Sequence, residues 1–439
     1  MEFVSDIYTT PTYPTYQDSE NRSLYKINRL LEDSFGMSSS GASATAFSTD
    51  AFGRLRSSTP LTIFDSSHRY ADNNLWATSV ATSGTSTFNA DQGLVDLAVT
   101  SASGSQVLRE TTKVFPYQPG KSLLVMTTFV MAPAKTNLRQ RVGYFGAQNG
   151  FYVQLDGSTL SFVERSFVTG SVVSSPVVQS SWNGDKLDGT GPSGLTLDIA
   201  KSQILWMDLE WLGVGSVRLG FVINGRFVLC HTFHHANLVA STYITTASLP
   251  LRYEITNTGA TSGSSTLKQI CSTVISEGGY ELSGLQQAVG VPVGTSRTLG
   301  ATDVQTPIVS LRLKATRLDA IVILTAISVL GTGNGTNFNW NVNASGTVSG
   351  GTWVDAGVNS SVEYNLGGTI SGGRVLASGY LHSSNQGASS VDILKEALFK
   401  FQLERNSFTS TPFNLSLTAA GGGSGQGIFG SMDWEEVSR

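Results

Sequence analysis

Apolar and polar residues alternate along most of this chain, the period of β-strands rather than helices. From Leu61 to about Gln286, short apolar runs are separated by glycine- and asparagine-rich breaks. SLLVMTTFVM (Ser122 to Met131) reads as a buried strand, and NGFYVQLDGSTLSFVERSF as a hairpin turning at Asp156-Gly157. The clearest unit is SVRLGFVINGRFVLCHTF, with Asn224-Gly225 as a two-residue type I′ turn. Such a turn pairs Ile223 with Arg226, and hence Phe221 with Val228, Leu219 with Cys230 and Val217 with Thr232. That face is apolar and calls for a second sheet, while the other carries Arg218 beside His231, with Val222 and Phe227 nearer the turn. ILWMDLEWLG, just upstream, is a further strand. Residues 61–287 therefore read as an antiparallel β-sandwich.

A polar, glycine-dotted stretch, 288–306, reads as a linker. Alternation resumes over 307–439 in IVSLRLKAT, DAIVILTAISVL, FNWNVNA, SVEYNL, RVLASGYL, EALFKFQLE and PFNLSLTAA, before an acidic tail, SMDWEEVSR. This is a second, smaller β-sandwich, so the expected fold class is all-β. Residues 1–60 are different and read as an arm. Helical spacing occurs once, from about Asp18 to Phe35, where Leu24, Ile27, Leu30 and Leu31 form a stripe; Asp18 or Ser19 would cap it and Gly36 end it. A lone helix of this length is marginal in water, so its stripe needs a surface, on its own body or on another subunit.

Composition narrows the classes. Charged residues are only 14% of the chain and the net charge is −4, which disfavours nucleic acid and anionic membranes as partners. Cys230 and Cys271 are too few for a disulfide framework. MEFVSDIYTTPTYPTY is not a signal peptide, and the apolar run AIVILTAISVL is far shorter than the roughly 20 residues that span a bilayer. The expectation is synthesis in the cytoplasm with no membrane insertion.

Candidate chemistry is sparse. In WMDLEW, Asp208 and Glu210 would project from one face of a strand about 6.5–7 Å apart, near the spacing of glycosidase carboxylates. Jelly-roll glucanases carry E-x-D-x-E there, but the first position is Trp206, so the trio is broken and a solvated face or ion pair is the expectation. CHTFHHAN offers His231, His234 and His235, but at a spacing that does not chelate unless the chain turns. GTGNGTN lacks the strand–loop–helix context of a phosphate loop, and no G-x-S-x-G elbow occurs. We therefore expect no enzyme, no metal and no cofactor. Trp182, Trp206, Trp211, Trp340 and Trp353 could stack on sugars or fill cores.

DAFGRLRSSTPLTIFDSSHRY, Asp50 to Tyr70, has no clean period yet holds two arginines among apolar residues. It resembles a segment of uncharacterised virion structural proteins of tailed bacteriophages, marine and cyanobacterial phages especially, and of some large DNA viruses. There it reads close to F-G-R-L-R-V-S-x-P-x-T-L-F-D-S; here Ser58 and Thr59 follow Ser57 where Val-Ser is usual, and Ile63 stands for Leu. The likeness continues through PLRYEITNTG, KQICSTVISEGGYE, KEALFKFQLERN and GSMDWEEV, and WLGVGSVRLGFVINGRFV resembles a concanavalin-like jelly roll. The resemblance implies no catalytic residues but a place in a virion. The arm would anchor the chain to capsid, neck or tail subunits through Leu24, Ile27, Leu30, Leu31, Phe52, Arg54, Leu55, Arg56, Ile63 and Phe64. Alternatively, the segment wraps its own sandwich. A head or neck fibre or decoration, as a homo-oligomer of three chains, is the leading placement. A tail or baseplate fibre touching host glycan is the alternative, and a jelly-roll glycoside hydrolase the third.

Overall fold

β-branched and aromatic residues at alternate positions, with glycine or asparagine wherever the chain must turn, build two antiparallel sandwiches in series. The computed structural model describes residues 59–333, 335–384, 389–391 and 399–438. The expected helix, with Leu24, Ile27, Leu30 and Leu31, and the residues Phe52, Arg54, Leu55 and Arg56 lie outside the described residues.

In the first sandwich, one sheet runs in the order Arg226–Phe233, Val217–Ile223, Gln203–Leu209, Leu123–Val130, Ser265–Ser276, Leu94–Val99 and Thr85–Asn89. The strand Leu61–Ser66 completes it, pairing with the second half of Ser265–Ser276. The opposing sheet runs Val173–Val178, Thr159–Ser166, Gly150–Asp156, Leu138–Phe145, Leu251–Asn257, Gln106–Thr111 and Trp76–Ala81. Early strands nest beside late ones, the jelly-roll arrangement. Between the sheets lie Leu97, Val125, Phe129, Val142, Phe162, Leu205 and Phe221, all buried. Ile63 and Phe64 belong to this same core, with the Phe64 ring 4.7 Å from Phe115 and 6.2 Å from Trp76. Their burial is complete within their own chain, so this part of the stretch wraps its own sandwich.

The Asn224-Gly225 turn forms as expected, with φ of 53° and 74°. Ile223 pairs with Arg226 and Phe221 with Val228, but the register then shifts. Cys230 is bulged out, so that Leu219 meets His231, Arg218 meets Thr232 and Val217 meets Phe233. The cause is Phe233: an unbroken period of two would turn it away from the core, whereas the extra residue brings its ring 5.5 Å from Phe151. The 150–166 hairpin turns at Gly157-Ser158, one residue later than expected, since Asp156 pairs with Thr159.

The second sandwich has Leu285–Gly290, Gly427–Ser438, Ile321–Gly331 and Ser389–Val391 in one sheet, with Arg297–Thr298 also on Gly427–Ser438. Facing it are Val354–Asp355, Val362–Asn365, Thr306–Leu313, Asn414–Gly421, Asn337–Ser349 and Thr369–Ser371, with Arg374–His382 on Asn337–Ser349. Three expectations change here. The acidic tail is an inner strand, paired on both sides, with Trp434 in the core and Glu435 and Glu436 buried. The stretch read as a linker is laced to that strand through Leu285–Gly290 and Arg297–Thr298. The described part of EALFKFQLE, 399–404, is not a strand of the sandwich but a strap toward the first one. From Pro60 onward the chain forms one compact unit.

Candidate binding site

WMDLEW does not hold a catalytic pair. The strand Gln203–Leu209 ends before Glu210, whose side chain is exposed, so the two carboxylates do not share a strand face. Asp208 is buried and its Oδ2 is in close contact with the Arg218 guanidinium on the neighbouring strand. Among the described residues its Oδ1 has no partner, and neither does Trp206 Nε1. The Trp206 indole lies over Gly220, where a Cβ would fall 2.9 Å from Nε1 and 1.9 Å from Val228 O, and meets the Phe227 ring edge-on at 5.5 Å.

These residues lie on the outer face of the eight-stranded sheet. The face is apolar where the last three strands meet: Ile204 is 38% exposed, Phe227 56% and Leu229 39%. Leu229 is opposite Gly220, itself opposite Trp206, and Phe227 is opposite Val222, so the hairpin carries its apolar side chains into one patch. Expecting Phe227 and Val222 on the outward face was sound; Leu229 and Ile204 were missed, although their two-residue spacing from Phe227 and Trp206 was the available signal.

The three histidines separate. His235 Nδ1 is 2.6 Å from Gly215 O and Nε2 2.8 Å from Glu164 Oε2, and its ring stacks on Tyr243. His231 Nδ1 accepts from Asn183 N, and burial, then nearby His234, pushes it below the ordinary imidazole range. No metal-type cluster of His, Cys, Asp and Glu occurs among the described residues. Cys230 and Cys271 are both free thiols. Trp182 fills the first core, stacked on Phe162, while Trp353 lies under Arg312 and Trp340 packs on the second core.

Between the sandwiches the chain concentrates charge that no local motif announced. Glu110, buried, receives Arg252 Nε at 2.8 Å on one oxygen, and Arg405 Nη2 approaches the other at 2.9 Å. Arg405 also donates to Thr111 O, and its amide to Thr112 O. Glu404 accepts from Thr112 Oγ1 and lies 3.9 Å from Lys113 Nζ and 3.4 Å from Arg374. Burial drags the Lys113 ammonium below the ordinary lysine range, with Glu404 opposing. Because Leu403 donates to Val322 O, the 402–405 strap ties both sandwiches. Charges inside the strands VLRETTKVF and LRYEIT were the signal for this network.

No family model and no curated protein matches the chain. Among solved structures, the chain is similar to the β-glucanase of Bacillus licheniformis (13% identity, 48% of this chain and 97% of that one, TM-score 0.32). It is also similar to the carbohydrate recognition domain of Emp47p (12% identity, 52% and 99%, TM-score 0.31) and to peanut lectin (11% identity, 50% and 98%, TM-score 0.28). At these identities and scores the likenesses carry no argument about activity or ligand. No helix among the described residues is long and apolar enough to cross a membrane.

Proposed function

We propose that this chain is a virion structural protein of a tailed bacteriophage: a non-enzymatic display subunit that docks on neighbouring particle proteins and holds its paired sandwiches outward. The sequence motif of residues 50–70 supports the virion assignment. The structural observation that carries the docking role is the uncovered patch of Ile204, Phe227 and Leu229, since contiguous exposed apolar side chains mark interaction surfaces. The commitment of Asp208 to Arg218, apart from Glu210, favours binding over glycoside hydrolysis. The test is incorporation into particles. Phe227→Glu, made in a chain that keeps its melting temperature, should be lost from purified virions, as should a chain lacking residues 1–59. If either enters particles at the normal copy number, the corresponding contact is not an anchor. Cryo-EM of the particle gives the placement, and light scattering the expected trimer. A second reading, a tail or baseplate fibre touching host glycan, is favoured by the aromatic corner of Tyr117 and Trp211, edge to face at 5.7 Å, of the kind that packs on a sugar ring.

A further inference from the structure

The loop 67–75 carries the chain from the strand Leu61–Ser66 in one sheet of the first sandwich to Trp76–Ala81 in the other. Its other residues are exposed or half-buried, but His68 is only 1% exposed. His68 Nδ1 accepts from the Asn73 amide at 3.3 Å, so the neutral ring holds its proton on Nε2. Nε2 is buried and has no partner among the described residues. Arg109, also 1% exposed, is in close contact with Asp72, donates Nε to Gln269 Oε1 at 2.6 Å and Nη1 to Thr78 Oγ1 at 2.9 Å. The loop is thus fastened at two points, His68 to Asn73 and Asp72 to Arg109. Asn73 also donates Nδ2 to Ser66 Oγ at 3.2 Å, tying the loop to the end of the strand that precedes it.

This site has no place for a second proton on the ring. A proton on Nδ1 would face the Asn73 N–H, donor against donor. Asp72 Oδ1, 3.6 Å away, already serves Arg109. The charged groups acting on the ring are Arg109, from the strand Gln106–Thr111, and Asp72, from its own loop. The strand Ser265–Ser276 contributes the neutral Gln269 to Arg109, and the turn before Leu94–Val99 meets the His68 carbonyl through Gly93. Protonation would therefore set an imidazolium near a buried guanidinium, with one carboxylate between them. Burial, then Arg109, pushes the His68 pKa down to about 4, with Asp72 opposing. We propose that loop 67–75 is an acid-opened lid: protonation of His68 favours the state in which the ring has left its site, lifting the loop from Arg109 and releasing Ser66 at the end of its strand. A free ring takes up the proton near 6.5 and the seated ring only near 4, so opening rises as pH falls through that window. The device goes beyond the display role and does not depend on it.

The experiment is hydrogen exchange on the purified full chain at pH 8, 6 and 5, followed peptide by peptide by mass spectrometry and corrected for the intrinsic exchange rate. With 6.5 for the free ring and about 4 for the seated one, the opening equilibrium of 67–75 should rise about thirtyfold from pH 8 to pH 5. Peptides covering Leu123–Val130, an inner strand of the same sandwich, should keep their protection. His68→Gln offers Asn73 a neutral acceptor in place of Nδ1 and should abolish the response over 67–75. Three results overturn the proposal. One is exchange over 67–75 that does not change between pH 8 and pH 5. Another is an equal rise over Leu123–Val130, which would mean that the whole sandwich opens. The third is a response that survives His68→Gln. The first two are read on the native sequence, so they stand whether or not the variant folds.

Discussion

The junction network makes a quantitative test. Glu110 is 1% exposed and serves two guanidinium groups that are themselves nearly buried, Arg252 and Arg405. Glu110→Gln keeps the shape and one acceptor oxygen but withdraws the only carboxylate that either arginine pairs with among the described residues. Breaking a buried ion pair by removing one partner costs about 3–5 kcal/mol, because the remaining charge stays out of water. Two features offset part of that loss. Arg252 keeps the ring faces of Phe145 and Phe408 at 5.5 and 5.4 Å, and Arg405 keeps Thr111 O at 2.9 Å. The expected net cost is therefore at the lower end, about 3 kcal/mol. Urea denaturation of the full chain reads it. Hydrogen exchange at the amides of Leu403 and Arg405, which bond across to Val322 and Thr112, reads whether the strap has loosened. Adding Arg405→Met to Glu110→Gln should recover part of the loss, because it removes one orphaned cation. A loss below about 1 kcal/mol, with exchange unchanged, would falsify the view that this network locks the sandwiches together.

Two further outcomes follow from buried groups. His68, 1% exposed, is held neutral with its pKa pushed down to about 4, chiefly by burial, then by Arg109, with Asp72 opposing. The unfolded chain takes up that proton near pH 6.5 and the folded one only near 4, so stability falls as pH drops through this window, by about 3 kcal/mol from this group. Denaturation at pH 7, 5.5 and 4 should show the slope, and His68→Gln should flatten it; an unchanged slope refutes the assignment. On the outer face, Asp208→Asn should weaken folding by about 1–2 kcal/mol through the loss of Arg218, and Glu210→Gln by almost nothing. Parallel loss of a polysaccharide-cleaving activity in both variants would instead establish a hydrolase.

What the sequence made legible was what local period controls. Alternation marked the more apolar strands, Leu123–Val130 and Ile321–Gly331 among them, and Asn224-Gly225 the hairpin, because both depend on neighbours a few residues away; Gln106–Thr111, Leu138–Phe145 and Leu251–Asn257, which bury charged or amide side chains, were not singled out. Register beyond the turn was not legible: the bulge at Cys230 exists to bring Phe233 into a core whose other wall, Phe151, comes from a distant strand. The two carboxylates of WMDLEW illustrate the same limit, since where the strand ends is decided by the loop 211–215 rather than by the alternation before it.

The misread acidic end shows how a chain with few charges uses them. A glutamate pair before a terminus ordinarily signals a solvated tail, yet Glu436 accepts from Ser361 N at 2.7 Å and Trp434 Nε1 at 3.2 Å, and Glu435 from Gln286 Nε2 at 2.8 Å. Each carboxylate is satisfied by donors distant in sequence, the condition under which a buried charge is tolerable. Glu110, Glu404 and the four cations around them follow the same rule at the junction. In both places the charge orients one segment against another where apolar packing alone would allow sliding. Ser361, wholly buried, is seated by the same rule, its amide held by Glu436. Glu110→Gln should therefore lower the exchange protection of the Leu403 and Arg405 amides in the strap, whereas Phe227→Glu on the outer face should leave it unchanged.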